Sequence, residues 1–287
     1  MNMYDLIPKE YLLKHIELSL SEDIGDGDHS SLACISKNET NKAKLVAKEE
    51  GIICGIDIAR EVYALVDKSI KFTAMMKDGD RIKKGDIIFR VEGSAIGILT
   101  SERTALNYMQ RLSGIATSTN EYVELIKGTS TKLLDTRKTT PSMRLFEKYA
   151  VKVGGGYNHR IGLYDMIMLK DNHIDFAGGV ENAITKTKEY LKNLGKELKI
   201  EVEVRSMEEL ERVLKIGGVD RIMLDNFTPE LLQKAVERIG GKYETESSGG
   251  INKNTILNFA KTGVDFISVG ALTHQIKSLD LSLIAED

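Results

Sequence analysis

From about residue 130 the chain alternates short strand-like runs with helical ones, and no other feature restricts its fold as strongly. The runs are 132–136, 149–153, 165–169, 199–204, 221–224, 243–247 and 265–269. Strands separated by helices lie parallel and are covered by those helices. Ile167-Met168-Leu169 and Ile222-Met223-Leu224 are apolar on both faces, as strands buried from two sides must be. A closed eight-stranded barrel needs about 250 residues, whereas this region offers roughly 150, so the spacing predicts an incomplete barrel of about seven units. A doubly wound sheet is the alternative, but no Gly-x-Gly-x-x-Gly turn follows the first strand of the repeat.

The first third reads as α+β. After Pro8, Leu12, Leu13, Ile16 and Leu20 recur at helical spacing. Strands are predicted over 43–48, 69–76 and 86–92, with a helix over 57–67 between them. Asp78-Gly79-Asp80-Arg81-Ile82-Lys83-Lys84-Gly85-Asp86 is built from turn formers. It resembles the hairpin of biotinyl and lipoyl carriers but puts no lysine at an obvious tip, which favours a structural turn. With 41% apolar and 29% charged residues the composition is that of a globular protein, and 40 Lys+Arg against 43 Asp+Glu argues against a nucleic-acid partner. Cys34 and Cys54 lack the spacing of a metal or redox site, and no run is long and apolar enough to span a bilayer or act as a secretion signal. The expectation is a cytoplasmic protein without a membrane partner.

In a parallel barrel the C-terminal strand ends face one mouth, and here they are crowded with ionisable residues. Asp135-Thr136-Arg137-Lys138 follows the first run, Asn158-His159-Arg160 the second and Lys170-Asp171-Asn172-His173 the third. Arg137, Lys138, His159, Arg160 and Lys170 gathered in one cavity require a strongly anionic ligand to offset their repulsion. The next strands bring carboxylates, Glu201 and Glu203 and then Asp225, suited to sugar hydroxyls, magnesium or a developing cation. Glu201 and Glu203 share a strand face; Glu203 lies nearer the mouth, and Glu201 is given a supporting or ion-pairing role. Ser247-Ser248-Gly249-Gly250 and Val269-Gly270-Ala271-Leu272 close the last two strands as phosphate-binding turns do. Arg103, on a helix through 99–108, has two readings: a side chain snorkelling from its own helix, or one reaching an anion across an interface. Lys170 could instead serve a barrel aldolase as a Schiff-base nucleophile, and a non-catalytic binding relative is a further alternative.

Taken in order, these motifs resemble the quinolinate phosphoribosyltransferase family, also called nicotinate-nucleotide pyrophosphorylase (carboxylating). The resemblance runs from Glu22-Asp23-Ile24-Gly25 through Ser101-Glu102-Arg103-Thr104-Ala105-Leu106-Asn107 and Asp135-Thr136-Arg137-Lys138-Thr139 to Ser268-Val269-Gly270-Ala271-Leu272-Thr273-His274. It implies an N-terminal α/β sandwich domain over 1–114 and an incomplete α/β barrel of the type II phosphoribosyltransferases over 115–274, with the tail 275–287 returning to the first domain. It also implies a homodimer, or a higher oligomer, in which Arg103 is supplied by the neighbouring subunit. Quinolinate is then expected among Arg103, Arg137, Lys138, His159, Arg160 and Lys170. Phosphoribosyl pyrophosphate with Mg2+ is expected near Thr136, Glu203 and Asp225, its 5'-phosphate on Ser248, Gly249, Gly250, Val269, Gly270 and Ala271, with His274 alongside. Lys138, Lys170, Glu203 and Asp225 are the expected catalytic residues, and no organic cofactor is implied.

Overall fold

A computed structural model describes residues 2–286. The chain divides into one unit of Met1–Asn120, Pro141–Gly155 and Gln275–Asp287, and a second of Glu121–Thr140 and Gly156–His274. The first unit contains α1 (Lys9–Ile24), α2 (His29–Cys34), β1 (Thr40–Ala47), β2 (Gly51–Ile52), α3 (Ile56–Val66), β3 (Lys71–Ala74), β4 (Arg81–Ile82), β5 (Ile87–Ser94), most of α4 (Ala95–Leu125), α5 (Arg144–Val153) and β12 (Leu281–Glu286). Four of its strands make an antiparallel sheet in the order β12-β1-β5-β3. Leu45 stands opposite Phe89 and Leu283, and Ala43 opposite Val91 and Ala285, so alternation gives neighbouring strands one shared apolar row. Tyr63 of α3 packs on Phe72 and Phe89 of that sheet, with centroids 5.8 and 5.9 Å away.

The 78–86 segment is two turns flanking the short strand β4. Asp80 accepts the Lys77 N–H at 3.0 Å and Asp86 the Lys83 N–H at 2.8 Å, each closing a local turn. Asp78 has a different task. Its carboxylate accepts the Gly55 and Ile56 N–H groups at 2.9 and 3.0 Å, serving the start of α3, where Gly55 has no side chain to cap with. The Tyr149 hydroxyl donates to the same carboxylate at 2.8 Å.

The second unit contains β6 (Lys132–Leu134), β7 (Ile167–Leu169), α6 (Asp171–Ala177), α7 (Val180–Leu194), β8 (Ile200–Val204), α8 (Met207–Ile216), β9 (Arg221–Asp225), α9 (Pro229–Ile239), β10 (Glu244–Ser248), α10 (Ile256–Ala260), β11 (Phe266–Ser268) and α11 (Ala271–His274). Its six strands run parallel in the order β6-β11-β10-β9-β8-β7. Local chemistry delimits the helices: Ser206 and Thr228 accept N–H groups in the first turns of α8 and α9, Pro229 opens α9, and a left-handed Gly240 ends it. Val202, Val204, Ile222 and Leu224 are fully buried, as are Leu210, Val213 and Leu232 on the helices that follow them.

The expected strand over 149–153 is instead the end of α5. Phe146, Tyr149, Ala150 and Val153 recur at helical spacing, and the first three are buried within the first unit. A run of three apolar residues satisfies either period, and packing chose the helix. What remains of that strand is one parallel bridge between Leu134 and Tyr157. The β6 to β7 connection therefore completes the sheet with a single bridged residue beside six true strands.

In the first unit Gly114 of α4 lies against the tail so closely that an added Cβ would overlap the Lys277 carbonyl oxygen and sit 3.2 Å from Ser278 Cα. Gly114→Ala is expected to cost about 1–3 kcal/mol of overpacking, read as a lower urea midpoint.

Candidate active site

Pairing register and the two-residue period place charge inside the parallel sheet in layers. Arg221 stands opposite both Glu201 and Glu244, Met223 opposite Glu203 and Glu246, and Asp225 opposite Ser248. The inward row of this unit is thus ionic where barrels usually carry branched apolar residues.

In the lowest layer Arg221 donates to Glu244 at 3.0 Å and to Glu246 at 2.9 Å, and its guanidinium lies 4.0 Å from the Phe266 ring centre. In that layer and the next, Glu201, Glu246 and His159 meet with almost no access to water: both carboxyls are fully buried and the imidazole is 7% exposed. His159 Nε2 lies 2.9 Å from Glu201 and 3.5 Å from Glu246. Its Nδ1 accepts the Arg160 N–H at 2.7 Å, which assigns the ring proton to Nε2, facing the carboxyls. Burial raises Glu201 to about 7 against the pull of Arg221, and burial together with the neighbouring Glu201 raises Glu246 to about 7.

The loop that carries His159 is tied from the other side by Asp135, fully buried at the end of β6. Asp135 accepts the His159 N–H at 2.8 Å and the Asn158 side-chain amide at 2.6 Å. Arg160 follows, donating to the Met166 carbonyl at 3.1 Å. Burial, then the nearby Arg137, hold its pKa below the usual guanidinium value. The Nε of Arg137 is itself buried without a hydrogen-bond partner. A half-buried Arg160 guanidinium beside Arg137 makes a ready anion site.

Around this pair stand the other predicted residues of the second unit. Lys170, at the end of β7, is half-exposed and 3.9 Å from Glu203. Burial and the charge of Asp225 push the Glu203 carboxyl up, while Lys170 pulls it down. Lys138 is anchored through its backbone: its N–H donates to Thr136 Oγ1 at 3.0 Å and its carbonyl accepts the Thr273 hydroxyl at 2.7 Å. A Cβ on Gly270 would lie 3.0 Å from Lys138 Cδ and His274 Nε2, so a side chain there would push these two neighbours aside. Gly249 (φ +101°) packs on Asn226, and Gly250 (φ +63°) borders open space. Asn226, itself left-handed, donates through its side-chain amide to Asp225 at 2.6 Å and through its backbone N–H to the Ser248 carbonyl at 2.9 Å, linking the β9 and β10 ends.

The structure therefore joins Arg137 with Arg160, Lys170 with Glu203 and Asp225, and Lys138 with Gly270 and His274. His159 departs from the expectation: it faces the buried carboxyls, behind Arg160. Arg103 is on α4 in the first unit. Sequence reasoning missed Glu246, Arg221 and Asn226. Glu244-Thr245-Glu246 repeats the alternation of Glu201-Val202-Glu203 on a neighbouring strand, a signal that was available.

Fold and site together define a two-unit α/β-barrel enzyme that acts on anionic substrates. Two family models match in tandem, the N-terminal domain of quinolinate phosphoribosyl transferase over residues 28–113 and its C-terminal domain over 115–284. The chain is 44% identical over 283 residues to the chloroplastic nicotinate-nucleotide pyrophosphorylase (carboxylating) of Arabidopsis thaliana, covering 93% of this chain and 81% of that one. A probable nicotinate-nucleotide pyrophosphorylase of Bacillus subtilis is 43% identical, with 95% and 91% covered. The solved nicotinate-nucleotide pyrophosphorylase of Francisella tularensis superposes with a TM-score of 0.92 at 45% identity, over 98% of each chain. The chain belongs to the quinolinate phosphoribosyltransferase family.

The buried carboxyls give the fold a pH dependence of definite sign. A carboxyl whose folded pKa lies above its unfolded value binds more protons when folded, so stability falls as pH rises between the two. For Glu246 the window runs from its ordinary value of 4.5 to about 7. Glu246→Gln is expected to flatten the decline in unfolding free energy across that window by on the order of 1 kcal/mol per pH unit, as read from urea titrations at several pH values.

Proposed function

We propose that the protein converts quinolinate and phosphoribosyl pyrophosphate to nicotinate mononucleotide, carbon dioxide and pyrophosphate, a decarboxylating pentosyl transfer that feeds NAD biosynthesis. The family supports the activity, and the observation that carries the substrate assignment is the Arg137–Arg160 pair, with its buried, unpartnered Arg137 Nε. A pyridine dicarboxylate supplies two anionic groups to such a pair. Arg137, Lys138, Arg160 and Lys170 would hold it, with His159 acting from behind Arg160 and with Arg103 coming from the neighbouring subunit of a homodimer. Ser248, Gly249, Gly250, Val269, Gly270 and Ala271 would receive the 5'-phosphate, and Thr136 and His274 would border the donor.

Glu203 and Asp225 fit a hard divalent cation: they are adjacent strand-end carboxylates whose mutual repulsion already raises Glu203. Magnesium bound there with the donor would supply charge neutralisation for the departing pyrophosphate. The chain's own residues do the rest by placement and charge. Arg137 and Arg160 fix the diacid so that its ring nitrogen faces C1 of the ribose. The nitrogen lone pair forms the N–C1 bond as the C1–O bond breaks, with that electron pair leaving on pyrophosphate. Glu203 and Asp225 favour the positive charge that develops on the sugar, and Lys138 and Lys170 the negative charge that develops on the leaving oxygens. In the resulting pyridinium the bond from C2 to its carboxylate breaks, releasing carbon dioxide; the electron pair stays on C2 beside the cationic nitrogen and takes a proton from solvent. Lys170 stands half-exposed beside a carboxylate, unlike the apolar setting that activates a Schiff-base lysine. We place the enzyme in the cytoplasm, in keeping with its two free cysteines.

Incubating the protein with quinolinate, phosphoribosyl pyrophosphate and Mg2+ is expected to yield nicotinate mononucleotide and pyrophosphate in equal amounts. Nicotinic acid in place of quinolinate should yield none, and chelation should stop turnover until Mg2+ returns. Arg137→Ala and Lys170→Ala are each expected to lower kcat/KM by about 10²–10³; unchanged turnover in either would remove it from the site. For Arg103, mixing Arg103→Ala with Lys170→Ala subunits is expected to restore activity that neither shows alone. An inactive mixture of proven heterodimers would place both residues in a site of one chain.

A further inference from the structure

Two buried acids, Glu201 and Glu246, are left over once the proposed reaction has been assigned its residues. Their carboxyl oxygens and His159 lie within 4.8 Å of one another, a spacing that a metal ion could bridge. The hydrogen bonds argue otherwise. Because His159 Nδ1 takes the Arg160 N–H at 2.7 Å, its Nε2 carries the proton and has no lone pair to give a cation. Arg221, 2.9 Å from Glu246, already supplies positive charge to the cluster.

We propose that Glu201 and Glu246 are positioning residues for the diacid site: they hold His159 in its Nε2–H tautomer, which keeps Nδ1 as the acceptor that sets the Arg160 backbone and aims its guanidinium beside Arg137. The chain of contacts is continuous. Arg221 anchors Glu246, the two carboxyls lie 2.9 and 3.5 Å from His159 Nε2, and His159 Nδ1 accepts the Arg160 N–H. Asp135 fixes the same loop from the other side through the His159 N–H, so the ring has one orientation. An amide in place of either acid can turn its NH2 toward Nε2, drive the ring proton to Nδ1, and set it against the Arg160 N–H. Outer partners of this type commonly carry 10- to 100-fold effects on the group they orient.

This inference rests on the proposed function for its kinetic arm only. Glu201→Gln and Glu246→Gln are expected to raise the KM for quinolinate about tenfold while leaving the KM for phosphoribosyl pyrophosphate and the Tm close to wild type. The inference is overturned if the quinolinate KM stays put in both variants, or if both KM values rise together as Tm falls, which marks a floor that is merely structural. The second arm needs no turnover. In protein with 15N-labelled histidine, the ring resonance lost in His159→Gln is expected to show a protonated Nε2 and an unprotonated Nδ1, and to lose that pattern in Glu201→Gln. A protonated Nδ1 in the wild type overturns the inference even if the enzyme is active; an inactive wild type with the expected tautomer overturns the substrate assignment instead.

Discussion

The second unit depends on how two carboxyl groups, Glu201 and Glu246, are accommodated where water does not reach. Charge in such a place is costly unless it is paired and hydrogen-bonded. Here Arg221 pairs with Glu246 at 2.9 Å and His159 Nε2 lies 2.9 Å from Glu201, while both Glu201 oxygens and Glu246 Oε1 make no hydrogen bond. Each of the four residues stands within 3.5 Å of another, so substitutions among them are coupled. The mouth shows the opposite arrangement. Arg137 Nε is buried without a hydrogen-bond partner, and burial together with the nearby Arg137 disfavours the charge on Arg160. A floor of buried acids beneath a rim of cations separates opposite charges along the same strands.

Strand pairing makes this stratification possible. Because Arg221 is level with Glu201 and Glu244, and Asp225 with Ser248, residues two apart on one strand fall into different layers with different duties. Glu201 and Glu203 have the same side chain on the same face of the same strand. One is sealed among ion partners and the other looks onto the rim beside Lys170. A slip of one residue in β8 would turn both toward the apolar side, so register keeps both acids on the inner row.

Much of this was legible in the sequence, for definite reasons. The βα alternation holds for six of the seven expected strands, and the glycine turns after the last two strands and the cations Arg137, Lys138 and Lys170 stand where local patterns place them. The segment 149–153 misled because Tyr149-Ala150-Val151 is too short to separate a period of 2 from one of 3.6, and Gly155 lies outside the helix that contains them. His159 misled in another way: a histidine among arginines reads as part of their cavity, and only the fold reveals two acids, 42 and 87 positions further on, waiting behind it. Arg221, at the start of β9, and Glu246, in the middle of β10, went unnoticed because a charge on a strand looks like surface until the neighbouring strands are in place.

The sheet of the first unit holds a consequence for how the polypeptide comes to be folded at all. β1 pairs on one side with β5, which is made soon after it, but on the other with β12, where Lys42 meets Glu286. At ordinary elongation rates of about 5–20 residues per second, that flank of β1 waits some 10–50 seconds for its neighbour. Throughout the delay its amides and carbonyls are an open edge of the kind that invites pairing with a stranger. Lys42 and Lys44, spaced along that margin, put like charges on any second copy that tries to dock there.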